Sequence, residues 1–500
     1  MPTLSKSKII AFRQCPKRLW LEIHRPELRK ISAATEARFQ IGYQVGDIAI
    51  KLYDPSSTGV VIKLKEGFRE AFKLSARLLE QGKQIIFEAG FRFQDSIALA
   101  DVMIPSTRSG RTTWKMVEVK SSASVKNYHI EDIAVQSFLA RGMGLEVESV
   151  SLAHVDTSWI YPGGGDYRGF LKEADLTRDS LQLAPEVSKW LGEAHQVAAL
   201  SKEPDIQTGD QCYSPFECPF LPYCKIGKDD PQFPIYWLPR LTQNQRLQLK
   251  EDGIDDLRDI PEDLLNPKQK RVRDSTINGT EFFDQDGARD ELKDNGYPAY
   301  FLDFETSNLT VPIWAGTRPY QQLPFQFSLH KVSEAGELEH SGYLDLSGED
   351  PSRAFAESVI DQCGDVGPIY VYNAKFEKSI LRALSDRFGD LSSALGQINN
   401  RILDLLPVAE KYFYAPSQCG SWSIKSILPA VVPELSYDEL KGIKDGNMAM
   451  EAFTEAIAPV TTQERKQEIH QQLSEYCKLD TLSMVGLWKK FLDLKNPLLN

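Results

Sequence analysis

Alternating apolar and polar positions mark two neighbouring segments in the first half of the chain. ALADVMI and WKMVEVK both have the pattern of strands, and the polar residues Ser109 and Gly110 lie between them. This order predicts a β-hairpin. Because side chains alternate along a strand, Glu118 and Lys120 share one face, and we expect Asp101 close to Glu118.

A second pattern begins near Tyr297. The strand-like runs YFLDFE, FQFSLHKV and ELEHSGYLDL precede the helical run SRAFAESVIDQC, the strand-like run PIYVYN and then mainly helical sequence. This succession predicts an α/β fold. On the first of these strands, Asp303 and Glu305 share one face and Leu302 and Phe304 share the other.

The chain divides into three predicted parts. Residues 1–228 mix helical patterns with short strands and end in the segment DQCYSPFECPFLPYCKIG. Residues 229–295 contain short helical runs broken by Gly and Pro, which predicts a small helical connector. Residues 296–500 form the α/β part. A chain of 500 residues is too long for a single hydrophobic core, so several domains are expected.

Composition narrows the class of protein. The apolar fraction of 42% and the charged fraction of 26% are those of a soluble globular protein. The opening MPTLSKSKII lacks the apolar core of a signal peptide, and long apolar runs are absent, so we expect a cytoplasmic protein without membrane association. The net charge of -12 excludes a general cation coat for nucleic acid, although residues 1–30 are locally basic.

Asp101, Glu118 and Lys120 combine two carboxylates with one ammonium group. Such a group can hold a divalent cation through its carboxylates while the ammonium stabilises charge that develops on a phosphate. Glu88, in IIFEAGF, is a further candidate metal ligand. For an isolated E-V-K triplet the alternative is a solvated charged face of a hairpin.

This arrangement resembles the PD-(D/E)XK nucleases, in the RecB-like branch that includes the CRISPR-associated exonucleases and the AddB-type helicase nucleases. The resemblance covers residues 4–226 and implies a restriction-endonuclease-like fold. It assigns Gln136, in EDIAVQSFLARG, to the glutamine motif near the scissile phosphate. Two positions depart from the pattern, since RFQIGYQVGDIAI has no histidine and Ala140 stands where a tyrosine usually follows the glutamine.

Four of the seven cysteines form a set near prolines and basic residues: Cys15, Cys212, Cys218 and Cys224. In a cytosolic protein such a set binds metal more often than it forms disulfides. Four thiolates suit a 4Fe-4S cluster or structural zinc, and the lack of two-residue spacings favours iron. The set resembles the iron–sulfur staple of RecB-like nucleases, which implies a 4Fe-4S cluster that ties together the two ends of the first domain.

A second set of acids lies in the C-terminal part. Asp303 and Glu305 share a strand face, Glu377 begins the helix after PIYVYN, and the late helix LSEYCKLDTLSMVGLW carries Asp480 with Tyr476 one turn earlier. The carboxyl end of a parallel strand is a common place for an α/β active site. Four acids and a tyrosine in this arrangement are suited to binding two divalent ions.

These motifs resemble the DEDD 3′-to-5′ exonucleases of the RNase H-like fold, in their tyrosine subtype, over residues 297–495. DFE, NAKFE and YCKLD correspond to the three motifs, and Asp404 falls where these enzymes carry a nearby aspartate. The resemblance implies two Mg²⁺ or Mn²⁺ ions and a water oriented by Tyr476. Glu377 departs from the pattern, which usually has aspartate. A silent domain that only binds DNA is the alternative.

Together the two resemblances imply a metal-dependent deoxyribonuclease with two active sites. It would process single strands or ends of DNA in repair or mobile-element defence, with a helicase or another defence protein as partner. Two alternatives stay open: a regulatory, nucleic-acid-binding iron–sulfur protein with one or both sites silent, and RNA as the substrate. Metal-dependent cleavage distinguishes the enzyme from the binding protein.

Overall fold

A computed structural model describes residues 2–108, 110–227 and 231–494. Ser109, at the tip of the predicted hairpin, lies outside the described residues, as does the predicted boundary at residues 228–229. The described chain mixes helices with several sheets, which confirms the predicted α/β class. Among the described helices, none is both long and apolar enough to cross a bilayer.

The chain forms two compact units. The first contains Met1–Asp229 and Leu309–Tyr320, and the second contains Asp230–Asn308 and Gln321–Asn500.

The first unit is built on a mixed sheet. Its strands are β1 (Leu4–Ser5), β2 (Val60–Val61), β3 (Ile86–Phe93), β4 (Ser96–Arg108), β5 (Arg111–Lys120), β6 (Val147–Val155) and β7 (Leu171–Asp175). Its helices are α1 (Lys6–Gln14), α2 (Pro16–His24), α3 (Ala33–Tyr53), α4 (Phe68–Gln81), α5 (Asn127–Gly142), α6 (Thr177–Gln182), α7 (Ala184–Ala198) and α8 (Leu221–Cys224).

The sheet order is β2-β3-β4-β5-β6-β7, with β1 beside β4. The strands β4 and β5 pair antiparallel, which confirms the predicted hairpin, and α5 then connects β5 to the parallel strand β6. Helices cover the sheet because its side chains alternate between two apolar faces. Ile133 of α5 packs in the core on one face, and Ile50 of α3 packs near Val117 on the other.

The helices α1 and α2 meet at Cys15. Ser5 caps α1 by accepting the backbone N–H of Lys8, as Ser commonly does at a helix start. Cys15 has an extended backbone and Pro16 follows it, so α1 ends and α2 begins at this residue.

The second unit contains a five-stranded sheet and a two-stranded ribbon. Its strands are β8 (Phe282–Phe283), β9 (Ala299–Ser307), β10 (Leu323–Val332), β11 (Leu338–Leu344), β12 (Ile369–Val371), β13 (Ile402–Asp404) and β14 (Phe413–Tyr414). Its helices are α9 (Gln243–Glu251), α10 (Pro267–Asn278), α11 (Gln285–Leu292), α12 (Ser352–Cys363), α13 (Lys375–Arg387), α14 (Ser392–Arg401), α15 (Leu405–Tyr412), α16 (Ile424–Val431), α17 (Gly446–Ile457) and α18 (Gln463–Phe491).

The larger sheet has the order β11-β10-β9-β12-β13, so β9 is the central strand. The pairs β9–β10 and β10–β11 are antiparallel, whereas β12 pairs parallel with both β9 and β13. The strands predicted from YFLDFE, FQFSLHKV, ELEHSGYLDL and PIYVYN all form within this sheet.

For two segments, the position in the sequence does not predict the hydrophobic core or unit to which they belong. Residues 229–295 contribute Leu249 and Val272 to the same core as Phe301 and Trp488, because short helices carry too few apolar residues for a core of their own. The segment Leu309–Tyr320, between β9 and β10, belongs to the first unit.

Candidate functional sites

The strand registers of the first unit bring three predicted metal ligands together. Phe87 pairs with Val102 in β3–β4, and Val102 pairs with Val117 in β4–β5. Glu88 and Asp101 lie between the pairs Phe87–Val102 and Ala89–Ala100 of β3–β4, and Asp101 and Glu118 each lie one position beyond the pair Val102–Val117. The Val119 backbone N–H donates to Asp101 Oδ2 at 2.6 Å. Glu88, Asp101 and Glu118 line one cleft, and the charges of Glu118 and Glu88 both act on Asp101.

Glu88 adopts a backbone conformation that is rare for a residue with a side chain. Its φ of 57° lies in the left-handed region within a strand. Strained conformations of this kind persist where the surrounding structure holds them, and they cluster at functional sites. The strain is an observation independent of charge that singles out this position.

Lys120 and Gln136 both hold Glu118. The Lys120 ammonium lies 2.6 Å from Oε1 of Glu118, and the Gln136 amide donates to its Oε2 at 2.5 Å. Gln136 also donates to the Leu99 carbonyl at 2.7 Å, which fixes the orientation of the amide. The glutamine assigned by resemblance therefore orients a carboxylate of the site.

Lys6 and Asp132 also belong to this site, and sequence reasoning missed both. Lys6 lies 2.9 Å from Glu118 Oε1 and 3.1 Å from Asp132 Oδ2, and Lys120 contacts the same Asp132 oxygen at 2.7 Å. Asp132 precedes Gln136 by one helical turn, a spacing that signals a shared helix face. No local sequence pattern links Lys6 to this site, because 112 positions separate it from Glu118.

Burial and charge shift the ionisation of these groups. Burial, with the Glu118 carboxylate, raises the pKa of Asp101 well above its usual range and also raises the pKa of Glu88. Burial opposes the charge of Lys120, but Asp132 and Glu118 outweigh it and raise the pKa of this ammonium. Burial and neighbouring carboxylates thus oppose the ionisation of Asp101 and Glu88, and a nearby cation would favour it.

A cleft of about 360 Å³ opens over these groups. Glu88, Asp101, Glu118 and Lys120 line it together with residues of α3. The α3 residues all belong to the stretch RFQIGYQVGDIAI, which has no histidine, and they include a cation, two aromatic rings and a carboxylate: Arg38, Phe39, Tyr43 and Asp47.

The four cysteines predicted to bind a cofactor line a single small cavity, although they come from distant parts of the chain. Cys212 and Cys218 are buried, and the Cys218 backbone N–H donates to the Cys212 carbonyl at 2.7 Å. Cys15 and Cys224 are partly buried, and all four are free thiols.

Burial and two cationic side chains surround the thiols. Burial raises the pKa of Cys218 to about 11 and also raises the pKa of Cys224, so without a metal these thiols stay protonated at neutral pH. Lys17 and Arg18 line the same cavity. A donor set of four thiols fits either a 4Fe-4S cluster or zinc, because both metals bind the thiolate form.

In the second unit the acids of β9 and α18 converge. Ligand atoms of Asp303, Glu305 and Asp480 all lie within 4.8 Å of one another. Burial, followed by the Asp480 and Glu305 carboxylates, raises the pKa of Asp303 well above its usual range. Burial raises the pKa of Glu305 to about 8 and that of Asp480 to about 6.

Glu377 lies on the first turn of α13, close enough for its charge to raise the pKa of Asp303. Its Oε2 is buried and has no hydrogen-bond partner among the described residues. Burial raises the pKa of Glu377 to about 8. A buried carboxylate oxygen without a partner, close to Asp303, is suited to ligate a cation.

Asp404 has a different role from the four acids. Its Oδ1 accepts the backbone N–H of Asn373 at 2.9 Å, and its Oδ2 accepts that of Ala374 at 2.9 Å. It also caps α15 by accepting the Leu406 N–H at 3.0 Å. Asp404 therefore fixes the turn between β12 and α13, the helix that carries Glu377.

Two tyrosines and a lysine complete the second site. The Tyr437 hydroxyl donates to Asp480 Oδ1 at 2.5 Å, and the predicted Tyr476 is buried beside the same carboxylate. The Lys425 ammonium lies 4.8 Å from the centre of the Tyr476 ring and donates to the Lys444 carbonyl at 2.7 Å. Sequence reasoning missed Tyr437 and Lys425, which come from segments without a recognisable motif.

Part of the chain matches a protein-family model. A model described as a domain of unknown function, DUF2779, matches residues 300–423. This range contains Asp303, Glu305, Glu377 and Asp404 but ends before Tyr476 and Asp480. The comparison with curated proteins gives no match. The chain is thus similar to the DUF2779 family in the part that carries the first two acidic motifs.

Proposed function

We propose that the protein is a divalent-metal-dependent nuclease with two active sites that act on DNA. The observation that carries the proposal is the convergence of Asp303, Glu305 and Asp480, whose ligand atoms lie within 4.8 Å of one another. Buried carboxylates this close repel one another, and bound cations relieve that repulsion. The orphaned oxygen of Glu377 is consistent with the same explanation.

For the second unit we propose an RNase H-like DEDD exonuclease that releases mononucleotides from 3′ ends. Mg²⁺ or Mn²⁺ held by its four acids would supply Lewis-acid activation of water and neutralise charge on the leaving oxygen. Burial and the Asp480 carboxylate raise the pKa of Tyr476, so its hydroxyl stays protonated and can donate a hydrogen bond. Tyr476 is therefore suited to orient the attacking water, while Tyr437 fixes Asp480.

For the first unit we propose a PD-(D/E)XK nuclease of the RecB-like branch. Glu88, Asp101 and Glu118 would hold a divalent ion, which supplies the same Lewis-acid chemistry. Lys120 keeps its positive charge at neutral pH, because neighbouring carboxylates raise its pKa, and it lines the cleft where a phosphate would enter. Gln136 holds Glu118 in place.

We propose that the four thiols hold a 4Fe-4S cluster with a structural role. The cysteines lie at the two ends of the first unit's main segment, near residue 15 and at residues 212–224. A metal that binds only the folded chain stabilises it. The cluster would therefore fasten the N-terminal helices to the segment that ends this part of the chain.

We propose DNA strands or ends as the substrate, in repair or mobile-element defence. The support comes from the cleft of the first unit, where Arg38 can pair with phosphate and the rings of Phe39 and Tyr43 are 49% and 68% exposed. Exposed rings beside a cation are suited to stacking the bases of a single strand. Stacking tolerates any base, so sequence specificity is not expected.

The test is an assay of anaerobically purified protein with Mn²⁺ and end-labelled single- and double-stranded DNA and RNA. We expect cleavage of DNA that stops when EDTA removes the metal and that an Asp303→Ala/Lys120→Ala double variant lacks. Binding of DNA without metal-dependent cleavage would replace the proposal by a nucleic-acid-binding protein, and cleavage restricted to RNA would change the substrate.

A further inference from the structure

Two lysines in the first site share the same two carboxylate oxygens. Lys6 and Lys120 both contact Oε1 of Glu118, at 2.9 and 2.6 Å, and both contact Oδ2 of Asp132, at 3.1 and 2.7 Å. The four groups form a closed ring in which positive and negative charges alternate. Each carboxylate oxygen in the ring therefore has two counterions.

This ring is electrically balanced, with two ammonium groups and two carboxylates. When ionised, the remaining acids, Glu88 and Asp101, add two negative charges, which one divalent cation matches. Without Lys6 the site would carry a third uncompensated negative charge. A buried carboxylate that loses its partner is strongly destabilised, so the remaining lysine would be held to it.

The two lysines differ in where they lie. Lys120 extends from β5 and is among the described residues that line the cleft, and Lys6 is not among them. The exposed fraction of the side chain is 18% for Lys6 and 27% for Lys120. Lys120 is thus the lysine that a phosphate in the cleft can reach, and Lys6 is the one that stays with Asp132.

We propose that Lys6 is a positioning residue that neutralises Asp132 and Glu118 so that Lys120 can turn to the scissile phosphate. This inference rests on the nuclease function proposed above for the first unit. When Lys120 moves to the phosphate, Lys6 keeps both carboxylates paired. Lys6 thereby lowers the free energy needed to move Lys120 away from the carboxylates. This role does not require contact between Lys6 and DNA.

The first test is Lys6→Met in an Asp303→Ala background, which leaves only the first site active. We expect kcat to fall by about tenfold to a hundredfold with a small change in KM, as for loss of a group that acts on the transition state. Lys6→Arg should keep most of the activity. Lys8→Met, on the same helix, is the matched control and should behave like the parent.

The decisive variant is the charge-balanced pair Lys6→Met/Asp132→Asn. With the Asp132 charge removed, Lys120 is no longer held by that carboxylate. We therefore expect the kcat of the double variant to be at least about tenfold higher than that of Lys6→Met alone. A purely structural role of Lys6 predicts that the pair is no better than the worse single variant. That result would overturn the proposal.

A second readout does not depend on cleavage. Lys120 is labelled with acetic anhydride and the product is followed by mass spectrometry. Labelling should be slower in Lys6→Met than in the parent, and its rate should return towards that of the parent in Lys6→Met/Asp132→Asn. If the parent cleaves nothing with Mn²⁺, the proposed nuclease function is wrong. The labelling rates still test whether Lys6 controls the pairing of Lys120. Equal labelling of Lys120 in Lys6→Met and in the pair contradicts the role of Lys6 even if the parent is an active nuclease. Melting curves of each variant show whether it is folded.

Discussion

Lys6 and Cys15 lie at the two ends of one helix, since Lys6 is the first residue of the nine-residue helix α1 and Cys15 caps its C-terminus. A helix of this length spans about 14 Å. Gln14, beside Cys15, donates to the carbonyls of Gln211 at 2.8 Å and Phe216 at 2.6 Å, which ties α1 to the segment that carries Cys212. The thiol site and the first carboxylate site therefore share one rigid element.

The shared helix predicts that damage at the thiol site reaches the first active site. Cys15→Ser should lower cleavage at the first site by up to about as much as Lys6→Met, on the order of tenfold to a hundredfold, because α1 loses one of the contacts that hold it. The second site should be unaffected. Cys419→Ser changes an exposed cysteine and is the control. Iron content and DNA cleavage are measured for both cysteine variants in the Asp303→Ala background. Full first-site activity in a Cys15→Ser protein without iron would contradict the coupling.

The thiol site also predicts the colour of the protein. If the four thiols hold the proposed 4Fe-4S cluster, protein purified without oxygen should be brown, with broad absorption in the blue part of the visible range. Cys218→Ser should lose the colour and melt at a lower temperature. Metal analysis decides between the two candidate cofactors, and a colourless protein with stoichiometric zinc would replace the iron–sulfur assignment.

The raised pKa of Glu305 predicts how stability depends on pH. In EDTA the folded protein holds a proton on Glu305 up to about pH 8, whereas the unfolded chain releases it near 4.5. The folded state thus binds more protons in this window, and stability falls as pH rises through it. The fall should be smaller in Glu305→Gln. Melting temperatures from pH 5 to about 9 test this, and Mn²⁺ should reverse the loss at high pH. Identical slopes for parent and variant would refute the role of Glu305.

Asp404 is predicted to act on the second site through the turn that it fixes. Asp404→Ala removes the acceptor of three backbone N–H groups, each hydrogen bond contributing about 1 kcal/mol. We expect 3′-end degradation to slow by about tenfold, less than in Glu377→Ala. Exposed Asp390 is the control position, as Asp390→Ala. Complete inactivation of a folded Asp404→Ala protein would instead make Asp404 a direct metal ligand.

Sequence alone predicted the parts of both sites that depend on local order. The alternation in ALADVMI and WKMVEVK predicts which side chains share a face, and the hairpin predicts Asp101 near Glu118. In the structure Asp101 accepts the backbone N–H of Val119, the next residue. The same period-2 alternation placed Asp303 and Glu305 together. A short strand followed by a helix located Glu377 correctly at the start of α13.

The rest depends on tertiary packing that no local pattern encodes. Lys6 reaches Glu118 because β1 pairs with β4 and α1 packs against α5. Tyr437 reaches Asp480 across 43 positions of sequence. The four cysteines were recognised by their neighbours, but only the folded chain brings Cys15 to the cavity of the other three. For Asp404 the sequence motif predicts the position of the residue but not its role, which is to accept backbone N–H groups and cap α15.

The central claim is that the chain carries two independent catalytic sites, and one set of variants tests it directly. Cleavage of end-labelled single-stranded DNA with Mn²⁺ is compared for the parent, Lys120→Ala, Asp480→Ala and the double variant. We expect each single variant to lose one cleavage pattern by about a hundredfold or more and keep the other, and only the double variant to be inert. If Lys120→Ala alone removes every activity while the protein stays folded and keeps its metal, the second unit is a silent binding module and the claim is wrong.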